Sequence, residues 1–125
     1  MADMDIQKVA DGADIPHLNI KMPSLNGEQL NPEKLSWEIA LWVYSNKGVK
    51  VRYNAISKTT ESIGDIQANC DLGNSSITLY IKSSEVPFGR GEMKGQMTLY
   101  IPDTKYKEEE QVGKTLETLL GIQIV

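Results

Sequence analysis

The sequence is poor in the residues that most often carry chemistry. It has one cysteine, Cys70, one histidine, His17, and one phenylalanine in 125 residues. A single cysteine excludes a disulfide within the chain and any metal site built on two or more thiolates, so packing alone must hold the fold. The same scarcity suits a reducing cytosol, and equally a particle assembled there and later released. Long apolar runs are also missing: the longest, Ile39 to Tyr44, falls far short of the roughly 20 residues that cross a bilayer. The opening MADMDIQKVADG has no basic end followed by an apolar stretch, so no secretion signal is expected. Net positive charge is absent as well. A formal charge of -4 and a pI near 5.0 repel a phosphate backbone, and no basic cluster is large enough to offset that, so neither nucleic acid nor membrane is expected as a partner.

What is present is the composition of one folded domain. Hydrophobic residues make up 40% and charged residues 24%, which excludes a disordered polymer, and the length suits a single core. Residues 1–16 carry four aspartates (Asp3, Asp5, Asp11, Asp14), show no sustained period and end at Pro16, which reads as an N-terminal arm ahead of a domain spanning 17–125. A short helix over Asp5 to Ala10 is compatible with the arm. From His17, apolar Leu18, Ile20 and Met22 alternate with polar neighbours, the period-2 sign of a half-buried strand. PSLNGEQLNPEK then supplies a turn and a loop.

Ser36 to Tyr44 places Trp37, Ile39, Leu41 and Val43 on one face, with Glu38, Ala40, Trp42 and Tyr44 on the other. The SNKG connection leads into Val49, Val51 and Tyr53, predicting a hairpin. Serines, threonines and Gly64 interrupt the alternation. Ile66, Ala68, Cys70 and Leu72, the Gly73-Asn74 turn and Ile77, Leu79 and Ile81 predict a second hairpin. TLYI recurs at 78–81 and 98–101, and Leu120, Ile122 and Ile124 close the chain as a strand. A helix around Lys114 to Leu120 would be ended by Gly121. About seven strands joined by Gly, Pro and Asn turns predict an all-β fold, an antiparallel β-sandwich with a short N-terminal arm.

No constellation for catalysis emerges, and the chain is expected not to be an enzyme. General base chemistry needs a positioned partner, and the only histidine, His17, sits near a strand start where a satisfied or solvent-facing role is the simpler reading. Cys70 alternates with aliphatic residues and reads as a small core hydrophobe. GRGEMKG at 89–95 opens a strand, so its glycines meet no helix N-terminus that could hold phosphate. The aspartates of the arm lack the spacing of a calcium loop, and Glu108 to Glu110 read as an exposed loop. Lys47, Lys50 and Arg52 share a hairpin and read as a solvated face. No cofactor and no metal are expected.

Aromatic placement stands out against this background. Trp42, Tyr44, Tyr80 and Tyr100 all fall on strand faces opposite the aliphatic ones, so if aliphatics fill the core these rings face outward. Large amphipathic rings on an outer sheet face mark a contact surface, because they bury much area for little lost rotamer entropy. The competing reading is that loops or the arm of the same chain cover them. The arm itself, through Ile6 and Val9, is a further candidate contact.

The segments NGEQLNPEKLSWEIALWVYSNKGVKVRYNA and ITLYIKSSEVPFGRGEMKGQMTLYIPDTKYKEE carry a resemblance. They resemble sandwich modules of bacteriophage virion proteins, particularly the lactococcal baseplate upper protein and head-fibre and tail-fibre proteins of Bacteroides and crAss-like phages. Asn26-Gly27, Trp42 to Tyr44, Gly48, Gly91, Ile101 to Asp103 and Tyr106 occupy the places of that pattern, over residues 17–125. The familiar Pro-Asp-Gly after the tyrosine is replaced by Lys107-Glu108-Glu109, and the arm has no counterpart.

The resemblance implies an immunoglobulin-like module in a non-enzymatic virion structural protein, assembled in the host cytoplasm, that attaches head fibres to a capsid or serves as a baseplate or tail adaptor. It implies a homo-oligomer, dimer or trimer, docking on other virion proteins through Trp42, Tyr44, Tyr80, Tyr100 and the arm. The alternative expectation is a cellular module that binds a small ligand or carbohydrate on its exposed aromatics.

Overall fold

The computed structural model describes residues 7–10, 13–25, 27–43, 48–64, 67–82, 90–115 and 118–125. Among them the strands run in the order β1 (Gln7–Val9), β2 (Ile15–Lys21), β3 (Ser24–Leu25), β4 (Glu28–Gln29), β5 (Ser36–Val43), β6 (Val49–Asn54), β7 (Thr59–Gly64), β8 (Gln67–Leu72), β9 (Ser76–Lys82), β10 (Gly91–Pro102), β11 (Glu110–Lys114) and β12 (Thr118–Ile124), with one 3-10 turn at Lys107–Glu109. A seven-stranded sheet has the order β1-β12-β10-β5-β6-β7, with β11 also paired to β10, and a three-stranded sheet has the order β2-β9-β8. The chain is all-β and forms a two-sheet sandwich, as the alternating patterns predict.

The two sheets share one core. β5 alternates strictly, burying Trp37, Ile39, Leu41 and Val43. Its register sets Ile39 opposite Val51 of β6 and Met97 of β10, and Val43 opposite Met93. From the smaller sheet Leu18, Ile77, Leu79 and Ile81 are buried, with Ile20, Cys70 and Leu72 packed against the cluster. Period-2 alternation becomes one dry face per sheet because successive strand side chains point to opposite sides. Burying those faces against each other supplies the stabilisation that a chain without disulfides requires.

Several strands lie where the sequence offers little apolar signal. Residues 7–9 of the arm are not helical but pair in parallel with β12, Val9 opposite Ile124, and the Val125 N–H donates to the Val9 carbonyl at 2.9 Å. β7 is polar (TTESIG), and pairing with β6 rather than burial defines it. Asn54 turns the chain there, its Oδ1 accepting the N–H groups of Ile56 and Ser57, and Lys58 takes φ 56°. The helix expected near Lys114 to Leu120 is replaced by the end of β11 and the start of β12, both on one side of the 12-residue β10. At their junction Thr115 takes over the ladder: its N–H donates to the Met97 carbonyl at 3.0 Å and its Oγ1 accepts the Met97 N–H at 2.9 Å. The apolar strands account for the predicted number of about seven; short or polar strands make up the remainder of the twelve.

Candidate functional site

The outer face of the seven-stranded sheet follows from the same register that builds the core. Residues directly opposite in an antiparallel pair share a face, so Trp42 stands beside Lys94, which stands beside Leu119 of β12. Six positions away along the strands, about 20 Å, Ser36 stands beside Tyr100, which stands beside Val112 of β11. Trp42 and Tyr100 are half-buried, while Leu119 and Val112 are 47% and 57% exposed. Tyr100 therefore lies directly beside the exposed Val112, whereas Lys94 stands between Trp42 and Leu119.

A polar row crosses the sheet between these two ends: Glu61, Arg52, Glu38, Thr98 and Lys114 lie side by side on β7, β6, β5, β10 and β11. Arg52 donates from Nε and Nη2 to the same Glu38 oxygen, at 3.1 and 2.9 Å, and Lys50 Nζ lies 3.8 Å from the other. That hydrogen bond, together with the Glu38 charge, raises the Arg52 pKa. The pair is exposed, so it orients side chains more than it stabilises the fold.

Tyr80 lies on the other side of the molecule, on the outer face of the three-stranded sheet. A register shift between Ile15 and Leu18 sets His17 against it, the rings meeting edge to face with centroids 4.6 Å apart at 82°. The Tyr80 hydroxyl donates to Asp71 Oδ2 at 2.7 Å, and that bond holds the Tyr80 pKa above its usual value. Lys82 reaches Asp14 at 3.1 Å on the same sheet. The four rings thus do not form one surface. Trp42 and Tyr100 share one outer face, Tyr80 belongs to the opposite one, and Tyr44 lies outside the described residues. Of the arm contacts, Val9 is buried in the chain's own core beside Ile124, and Ile6 lies outside the described residues.

The other candidates sit as follows. Cys70 lies on the inner face of β8, opposite Leu79, and is half-buried; desolvation pushes its thiol pKa up. Its alkylation by iodoacetamide near neutral pH should therefore run several-fold slower than that of free cysteine, returning to the free rate in denaturant, as mass spectrometry over time would record. His17 is exposed, and its ring packs against that of Tyr80. Among the described residues no group of three or more His, Cys, Asp or Glu side chains could hold a metal ion. Leu119 and Val112 were absent from the expected contact set. Leu119 was legible as the polar-side neighbour of Leu120, whereas Val112 sits in a strand whose other residues are polar or glycine.

No protein-family model matches the sequence, and neither a curated protein nor a solved structure shows significant similarity to it.

Proposed function

We propose that the chain is a non-enzymatic structural module of a bacteriophage virion, a head-fibre attachment protein or a baseplate or tail adaptor, that works by self-association and by docking on other virion proteins. The observation that carries the docking part is the outer face of the seven-stranded sheet. It offers Trp42 with Leu119 at one end and Tyr100 with Val112 at the other, around the charged row centred on Glu38. Half-buried rings that share a face with exposed aliphatic groups suit a contact surface, and a charged row between them gives register to whatever covers it.

The face around Tyr80 suits this role less well, because its hydroxyl is engaged by Asp71 and its ring by His17. The virion assignment rests on the sequence resemblance. Mass spectrometry of purified particles tests it: the chain should be present at a fixed ratio to the major structural proteins. Particles lacking the chain while it accumulates free in the lysate would contradict the assignment.

A further inference from the structure

Opposite charges flank β5 on the outer face of the seven-stranded sheet. Two strands away on one side stands Glu61 of β7, and two strands away on the other stands Lys114 of β11, both in the row that contains Glu38. Both residues are exposed, and neither is ion-paired among the described residues. Glu38 itself, on β5, is already answered within the chain: Arg52 donates to it at 2.9 Å, and its side chain is only 16% exposed. The uncommitted charge of the face is therefore antisymmetric, with β5 as the dividing line.

Such a face complements itself. In a face-to-face homodimer the two-fold axis lies in the plane of contact, and the same patch serves both copies. An axis along β5 lays β7 of one copy over the partner's β11, and β6 over the partner's β10. Glu61 then meets the partner's Lys114, a pair that symmetry forms twice, while Arg52 meets the partner's Thr98 and Lys50 meets the partner's Gln96. On the axis itself the small Ala40 faces its own equivalent, and Trp42 faces the partner's Trp42. The exposed aliphatic residues converge as well: Val112 comes over the partner's Thr59, at the foot of the β6–β7 turn that carries Ile56, 95% exposed.

Other axes fail on charge. One that follows the charged row across the strands stacks Glu61, Arg52 and Lys114 each on its own equivalent. One along β10 sets Lys94 on Lys94, and one along β6 sets Arg52 on Arg52. Like charges so opposed are costly at an interface. Around β5, by contrast, the strands of the two copies run in line, as in aligned sheet packing. The face spans five strands by six positions, about 24 by 20 Å, so two copies bury about 1,000 Å² in total, the lower limit of a specific interface.

We propose that a second copy of the chain covers this face across a two-fold axis along β5, with Glu61 of each copy paired to the partner's Lys114 and the two Trp42 rings in contact. The inference rests on the self-association already proposed and adds to it a symmetry and a register.

Charge reversal in the full chain tests that register, by sedimentation equilibrium at low ionic strength. The wild type should form a dimer with a micromolar dissociation constant. Glu61→Lys and Lys114→Glu should each weaken it by about tenfold with unchanged melting temperature, since two attractive pairs become repulsive. An equimolar mixture of the two single variants should regain the wild-type affinity to within about threefold as a heterodimer, because one then carries cations at both positions and the other anions. The double variant Glu61→Lys/Lys114→Glu should recover likewise, and added salt should shrink these differences.

Single variants that dimerise as tightly as the wild type, or a mixture that associates no better than its components, would overturn the register. A trimeric wild type would overturn the two-fold axis. In either case, loss of association in Trp42→Glu keeps the face as an assembly surface, whereas a wild type that stays monomeric removes both the proposal and the self-association beneath it.

Discussion

Trp37→Ala should remove most of the stability of the fold, a loss of roughly 3–5 kcal/mol in denaturant titration. The indole is completely buried on β5, stacked on Tyr53 with ring centroids 5.7 Å apart and planes 18° apart. Its Nε1 donates to the Pro32 carbonyl at 3.0 Å, and the Tyr53 hydroxyl donates to the Glu33 carbonyl at 3.0 Å. The two rings therefore fill the core at one end of the sheet and also tie down the segment that leads into β5. Truncation leaves a cavity and a buried carbonyl without its donor, two penalties that add. Trp37→Phe separates them: it keeps much of the volume and loses the hydrogen bond, so its loss should be smaller, about 1–3 kcal/mol. Equal midpoints for Trp37→Ala and the wild type would show that the indole does not hold this end of the core.

Gly48→Ala should be the second severe change, although it adds a single methyl group. Gly48 precedes Val49, which pairs with Leu41 in the β5–β6 hairpin. A Cβ at position 48 would overlap the Leu41 carbonyl oxygen, which is backbone and cannot swing aside as a side chain could. Hairpin and methyl group cannot both keep their places, so the loss should exceed about 2 kcal/mol. Gly113→Ala is the control. At position 113, on β11, an added methyl group would meet open space, and φ is not positive there, so its effect should stay within about 0.5 kcal/mol. Thermal melts of the two variants side by side check the contrast, and similar melting temperatures would refute the close approach at Gly48.

The fold was legible wherever a strand has one apolar face. β5, β6 and β9 could be read directly, because Trp37 to Val43, Val49 to Tyr53 and Ile77 to Ile81 alternate without interruption. β7 and β11 could not. Residues such as Thr60, Ser62 and Gln111 become strand through backbone pairing with the neighbouring β6 and β10, and their polar side chains carry no apolar alternation to announce it. β1 was hidden for a different reason, its pairing partner β12 lying at the far end of the chain.

Parity also has a limit that the rings expose. It predicts that Trp42, Tyr80 and Tyr100 lie opposite the core-facing side chains, and each does. It does not reveal that β9 belongs to the other sheet, which sets Tyr80 on the opposite side of the molecule from Trp42.

Sedimentation velocity on the wild type and Trp42→Glu bears most directly on the outer face as an assembly surface. The wild type should sediment as a dimer or trimer at micromolar concentration. Trp42→Glu should weaken association by at least about tenfold with an unchanged melting temperature, since Trp42 is not part of the buried core. A wild type that stays monomeric at high concentration, or a folded Trp42→Glu protein that associates as tightly as its parent, would contradict it.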